Sequence, residues 1–522
     1  MRTASIHTTA ILLILVCLGV ETLAGGGGQA RIGYVLLDED GNLGVNQETF
    51  NTYEGPSFSL DNFRYLTASG LNIFANLQSI TLNNRNLRAG VFKPGMFTAS
   101  VYNNQYRRAY SFDGGKFTRR NVVGGQFECM PSKYAHFFGG FDLTKKHGDR
   151  TALYEFRNDT VIIGTDYTQS AFNFGAQTFW AGGTLRLEYR AFDFSDDLAV
   201  GGDRDARQFT ATAFMPVPRY NRVTVSGGYD YRRDRHDWSN TELTTHTGWG
   251  GARALLPLGW SLDGRFLFAR TKHSLGSVET DNVVTTVAAG RAWPRYGGVR
   301  LGYENRISDD LVDRTTANAV MAAGWVKMND KLSARGRFST RLKRVKTGAT
   351  LLGDEDVTRF QVSVRYQDTL YGDMSLRYQG RIRTNDDIDT RVEYNAVTAA
   401  LNTAQKRYGT LAVTYSYYIG MFENRSGPRA DRFEFADHVV SGTLQTVTWR
   451  KIRGTFGGTY YRSHRDCDVE KFGLLFGARY ELPSDVYIDA TYQAVNYDNF
   501  LVTDQYYTGN IVTVNVIKGF TL

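Results

Sequence analysis

The sequence predicts an all-β fold: a large transmembrane antiparallel up-and-down β-barrel of about 24–26 strands. Three observations carry this. Apolar and polar residues alternate with a period of two over most of the chain, as they do where successive side chains point to opposite faces of a sheet. One alternate set is aromatic and aliphatic, while the other is charged, too charged for the interior of a sandwich. Short connections alternate strictly with longer charged ones, matching outer-membrane barrels, which have short periplasmic turns and longer external loops.

The stretch 207–232 shows the alternation. Phe209, Ala211, Ala213 and Met215 interleave with Gln208, Thr210 and Thr212. A join follows at 216–221, whose prolines lack the amide that a ladder needs. Beyond it Val223, Val225, Tyr229 and Tyr231 oppose Arg222, Thr224, Ser226, Asp230 and Arg232. In 374–383, Met374, Leu376, Tyr378 and Ile382 oppose Ser375, Arg377, Gln379, Arg381 and Arg383. In 360–367 the apolar set opposes Gln361, Ser363, Arg365 and Gln367, and in 332–341 Leu332 and Phe338 oppose Arg335, Arg337 and Arg341. In 411–419 Tyr418 breaks the polar parity. The polar sets face inward in a membrane barrel. The expected lumen lining therefore includes Arg222, Asp230, Arg232, Arg335, Arg337, Arg365, Arg377, Arg381 and Arg383. Arg186, Glu188 and Arg190 join them from the strand before.

The ends read differently. Residues 1–24 have a positive start, an apolar run at 10–20 and small residues before Gly25, the pattern of a secretory signal peptide. Residues 25–56 are weakly patterned and read as a periplasmic lead-in with one strand near 32–37. The barrel is expected over 57–522, with early strands near 58–65, 73–82, 96–106, 122–129, 137–143 and 161–165. From Pro218 to Ser484 seven repeats give one hairpin per 38 residues. That spacing yields 26 strands if everything after the leader takes part, and about 24 without the lead-in.

Composition agrees with this reading. Mean hydropathy is only −0.36, yet the chain holds 32 Phe, 31 Tyr and 54 Gly against 9 Pro. A lipid-facing barrel needs an apolar residue only at every second position and collects aromatics at the interfaces. The net charge of +8 is spread out, and with an export signal it argues against nucleic acid as a partner. Cys129 and Cys467 remain after the leader, and spacing alone does not say whether they pair. No Cys-x-x-Cys-His is present, so the chain attaches no c-type haem itself and is expected to hold no cofactor. No nucleophile motif or phosphate-cradling loop points to an enzyme. His464, Asp466, Cys467 and Asp468 read as a solvated external loop, as do Asp234, His236 and Asp237.

A ring of this size is very wide, and barrels of 22 strands are already plugged. The expected loops are too short to fill it, which leaves a second protein inside. Paired glycines such as 124–125, 227–228 and 297–298 either relieve curvature in the sheet or let a partner's backbone approach the wall.

The stretches SLDNFRY at 59–65, ITLNNRNLRAGVFKPGMF at 80–97 and NNQYRRAYSFDGGKFTRR at 103–120, with the large strand count, resemble the MtrB/PioB family of outer-membrane barrels. The resemblance implies a sheath that houses and insulates a periplasmic multihaem c-type cytochrome, often with a further cytochrome outside. It implies electron transfer across the outer membrane. The N-terminal Cys-x-x-Cys of some members is absent. The competing expectation is a porin for ions or small polar solutes, with its arginines favouring anions.

Overall fold

The computed structural model describes residues 25–522 apart from 46–51, 110–116, 154–159, 199–201, 238, 275–278, 310–313, 346–355, 386–388, 404–408, 426–430 and 503–504. The expected signal peptide lies outside the described residues.

Alternating sequence becomes one antiparallel sheet of 26 strands. Each strand pairs with the next. The first, β1 (Gly26–Gly41), pairs both with β2 (Gly55–Leu66) and with β26 (Tyr506–Thr521), so the sheet closes. Reciprocal backbone hydrogen bonds between Gly26 and Leu522 finish the seam. From β5 (Phe97–Ala109) onward every strand has 13 residues or more. Nine to eleven tilted residues cross the hydrocarbon, so strand ends stand clear of it.

The stretch 25–56 is not a lead-in. Strand β1 fills half of it and is a full wall strand. The physical reason lies in its inner face. Register places Val35 and Leu37 inward, level with Thr513 and Ile511, so apolar residues occupy both faces and the period of two blurs. Those inward residues are covered. The turn at 43–45 folds onto the lumen face, where Val45, Val35 and Leu37 pack against buried Val495, Tyr507 and Ile511. The Tyr507 hydroxyl donates to Glu39 Oε2 at 3.0 Å. This is the one apolar cluster inside the ring among the described residues. A short strand that the pattern did not isolate, β4 (Asn86–Lys93), follows β3 (Asn72–Gln78). Counting both gives 26, the upper end of the expected range.

The hairpin at 207–232 is longer than its prolines suggest. It consists of β10 (Arg204–Val217) and β11 (Tyr220–His236). Pro216 stays in the ladder at its last rungs, beside a register shift, where a missing amide matters least. Arg219 makes the tight turn with φ of 70°.

The outer face repeats one device. Tyr303 on β15 (Gly297–Asp309) donates its hydroxyl to Asn318 on β16 (Arg314–Lys327) at 2.7 Å. Tyr378 on β19 (Gly372–Asn385) donates to Asn395 on β20 (Thr390–Asn402) at 3.1 Å. Tyr492 on β25 (Val486–Asn499) does so to Asn510 on β26 at 2.8 Å. Tyr229 and Tyr415 meet His246 and His438 in the same diagonal position, two residues from the directly paired one. A hydroxyl facing lipid has no water to bond, so a neighbouring strand supplies the partner.

Candidate functional site

The lumen wall is the candidate site, and cross-strand register assembles it. Residues paired in an antiparallel ladder share a face. Following the pairs from β9 (Gly183–Asp196) to β11 puts Arg186, Glu188, Arg190, Arg222, Asp230 and Arg232 on one face. The same path runs through β12 (Thr241–Leu255), β13 (Trp260–His273) and β14 (Glu279–Trp293) to β17 (Leu332–Val345) and β18 (Asp356–Asp368). It continues to β19 and adds Arg335, Arg337, Arg365, Arg377, Arg381 and Arg383 to that face. Three concave surfaces are lined by residues of this set, among them Arg190, Arg222, Arg337 and Arg381. The opposite set, including Phe266, Leu301, Tyr303 and Val362, is exposed on the outside.

The structure joins Arg186, Glu188, Arg190 and Arg232 of the first group into ion bridges, and leaves Arg222 without a carboxylate among the described residues. Glu188, 7% exposed, takes Arg186 Nη2 at 2.9 Å and Arg190 Nε at 2.7 Å. Asp230 accepts from Gln208 at 2.7 Å and Thr210 at 2.6 Å. Arg232 donates to Asp234 at 2.9 Å, and Arg204 grips the same carboxylate from the neighbouring strand at 2.8 Å. Asp234 is thus a wall residue of β11 and not a loop residue. A third bridge was not anticipated from sequence: Asp263 lies 3.7 Å from Arg253 and 3.2 Å from Arg300. Strand parity was the signal for it, since Asp263 and Arg265 alternate with Leu262 and Phe266.

The second group is not bridged this way. Arg365 pairs with Asp373 at 2.8 Å near the periplasmic end. Arg335, Arg337, Arg377 and Arg381 face the lumen exposed, with no carboxylate within 4.0 Å among the described residues. Arg359 belongs with them, opposite Arg381 in the ladder. It was missed because β18 starts four residues earlier than its apolar pattern suggests.

Two smaller readings change. Only one glycine of each consecutive pair can face the lumen, because neighbours point opposite ways. Register turns Gly124, Gly228 and Gly298 inward and their partners outward. Tyr418 breaks polar parity because it stacks on inward Tyr394, ring centroids 6.1 Å apart. Cys129 and Cys467 are both free thiols.

No protein-family model and no curated protein matches the sequence, so the MtrB/PioB resemblance rests on the quoted motifs alone. Among solved structures, the chain is similar to the siderophore receptor PirA of Pseudomonas aeruginosa. Identity is 9%, the match covers 96% of this chain and 81% of that one, and the TM-score is 0.50. It is likewise similar to a mutant of the ferric enterobactin receptor PfeA of the same organism, at 8% identity, 96% and 81% coverage and a TM-score of 0.52. Both are receptors rather than enzymes by name, and at such identity the likeness is one of fold. With the closed wall and its apolar outer face, it makes this chain a β-barrel of the bacterial outer membrane.

Proposed function

We propose that the barrel houses and insulates a periplasmic multihaem c-type cytochrome and so carries electrons across the outer membrane. An extracellular cytochrome at its outer mouth would extend the path. The supporting observation is width. Twenty-six tilted strands make a ring roughly 50 Å across between backbones, from a strand spacing of about 4.8 Å. Among the described residues, the one apolar cluster on its inner face is the turn at 43–45 against the wall. A lumen so wide needs a large occupant to keep the membrane tight, and the inner wall suits one: it is polar, with part of its charge held in bridges and glycine and alanine interspersed. The haem would belong wholly to the partner.

The test is a mild-detergent pull-down of the barrel with haem staining. A stoichiometric haem protein is expected. A colourless barrel, whose membrane level is unchanged when neighbouring cytochromes are deleted, overturns the proposal. A second reading, a pore for ions or small polar solutes, is favoured by the unbridged arginines of β17–β19. Stable anion-preferring conductance of the isolated barrel in a planar bilayer would support it.

A further inference from the structure

Charge is not spread evenly round the lumen. Between β9 and β15, six arginines share three carboxylates, two each on Glu188, Asp234 and Asp263, while Arg222 and Arg265 meet none among the described residues. On β17, β18 and β19 that arrangement stops. Arg335, Arg337, Arg359, Arg377 and Arg381 are exposed to the lumen with no carboxylate within 4.0 Å among the described residues. Arg359 stands directly opposite Arg381, and like charges directly opposite one another destabilise a sheet. The fold does not require this. The next rung pairs Gln361 with Gln379, so a neutral amide fits the same wall. Beside the panel the flanking strands carry no charge inward: Ala319, Met321, Ala323 and Trp325 on β16, and Tyr394, Ala396, Thr398 and Ala400 on β20. The result is a cationic panel about 10 Å wide across three strands and about 13 Å tall, framed by uncharged strands.

We infer that this panel is the docking face for an acidic protein surface: the partner enclosed in the lumen sits with a carboxylate-rich face on β17–β19. The inference rests on the reading that the lumen encloses a protein. It adds which wall is touched and by what chemistry. Charge complementarity and extent both point to a protein. Guanidinium forks take carboxylates two hydrogen bonds at a time, and five forks over such an area match an array of carboxylates on a folded surface. A single small anion would engage two or three. Elsewhere the inward cations without a carboxylate among the described residues, such as Arg64, Arg88, Arg120 and Arg265, stand singly on their strands, so the five-arginine panel favours one rotation of the partner about the barrel axis.

The test compares the full-length barrel with Arg337→Glu/Arg359→Glu/Arg381→Glu, each extracted from its own outer membrane in mild detergent over a salt series. Folding is checked by heat-modifiable migration, and the co-purified haem protein is quantified by staining. The wild type is expected to keep its partner at low salt and release it as salt rises. The triple variant should retain at least tenfold less at equal barrel level. The neutral variant Arg337→Gln/Arg359→Gln/Arg381→Gln, whose side chains the wall already accommodates at Gln361 and Gln379, should lose several-fold and serves if the glutamates prevent folding. Equal, salt-insensitive retention by the variants overturns the inference while leaving the enclosed cytochrome intact. Absence of any haem protein from the wild type overturns the enclosure itself. Anion-selective conductance of partner-free wild type that the substitutions abolish assigns the panel to a solute and overturns the inference.

Discussion

Asp368 is the last residue of β18, at the periplasmic rim beyond the membrane-crossing part of the strand. The Lys331 ammonium, 2.5 Å away on the preceding turn, and the Leu370 amide at 2.6 Å hold its carboxyl down at about 2. Tyr366 adds a hydroxyl at 3.1 Å. A carboxyl depressed in the folded state contributes stability that is fully present above its ordinary value near 4. That contribution is lost as pH falls toward about 2. Asp368→Asn is therefore expected to lower the temperature of the heat-modifiable transition by a constant amount at neutral pH. The gap to wild type should close between about pH 4 and pH 2. A gap that persists at pH 2 would mean the carboxylate charge is not what locks the turn. The residues round this turn show what sequence could reveal. In the sequence each of Asp368 and Lys331 stands at a short break between two alternating stretches. Their contact spans two successive turns, and only the register of β17 against β18 brings them together.

At the scale of the strand, the outer tyrosines explain a feature that alternation alone does not. A strict greasy face would put valine at 318, 395 and 510, yet asparagine stands there. Each takes the hydroxyl of a tyrosine one strand away. Tyr378→Phe should leave the Asn395 amide without its strongest partner in a lipid-facing position, at a loss of about 1–2 kcal/mol. Asn395→Val should strand the hydroxyl at a similar loss. The double substitution should recover most of it, because removing both partners is nearly neutral. Urea-induced unfolding in micelles, run as a double-mutant cycle, measures the coupling, and additive losses would show that the diagonal bond contributes nothing. The same scale separates what was legible early from what was not. Strands β9–β26 were readable because one face is lipid and the other water. β1 was not, since Val35 and Leu37 are buried inward under the 43–45 turn and erase the contrast between its faces. Short β3 and β4 were hard to divide because seven or eight residues hold too few alternations.

For the whole molecule the decisive event is closure. At the β1–β26 seam, a Cβ added to Gly33 would lie 2.6 Å from the Val514 carbonyl oxygen and closer still to the Asn515 side chain. The backbone oxygen cannot move without breaking the ladder. Gly33→Leu should cost about 1–3 kcal/mol as overpacking and shift the population from the closed, heat-modifiable form to an open one. Gly248→Leu, where a Cβ meets nothing within 4 Å, is the control that should stay closed. Equal behaviour of the two variants on gels would show that the seam tolerates bulk. The chain's alternation determined that it forms a membrane barrel with one apolar and one charged face, because a period of two obliges every second side chain to the same side. Its repeat length set the size to within two strands. The tertiary structure alone decided that 25–56 belongs to the wall, that Asp234 and Asp263 each hold arginines from two strands, and that Arg335, Arg337, Arg359, Arg377 and Arg381 meet no carboxylate among the described residues. Charge pairing across strands depends on register, and register is fixed by neighbours far apart in the chain.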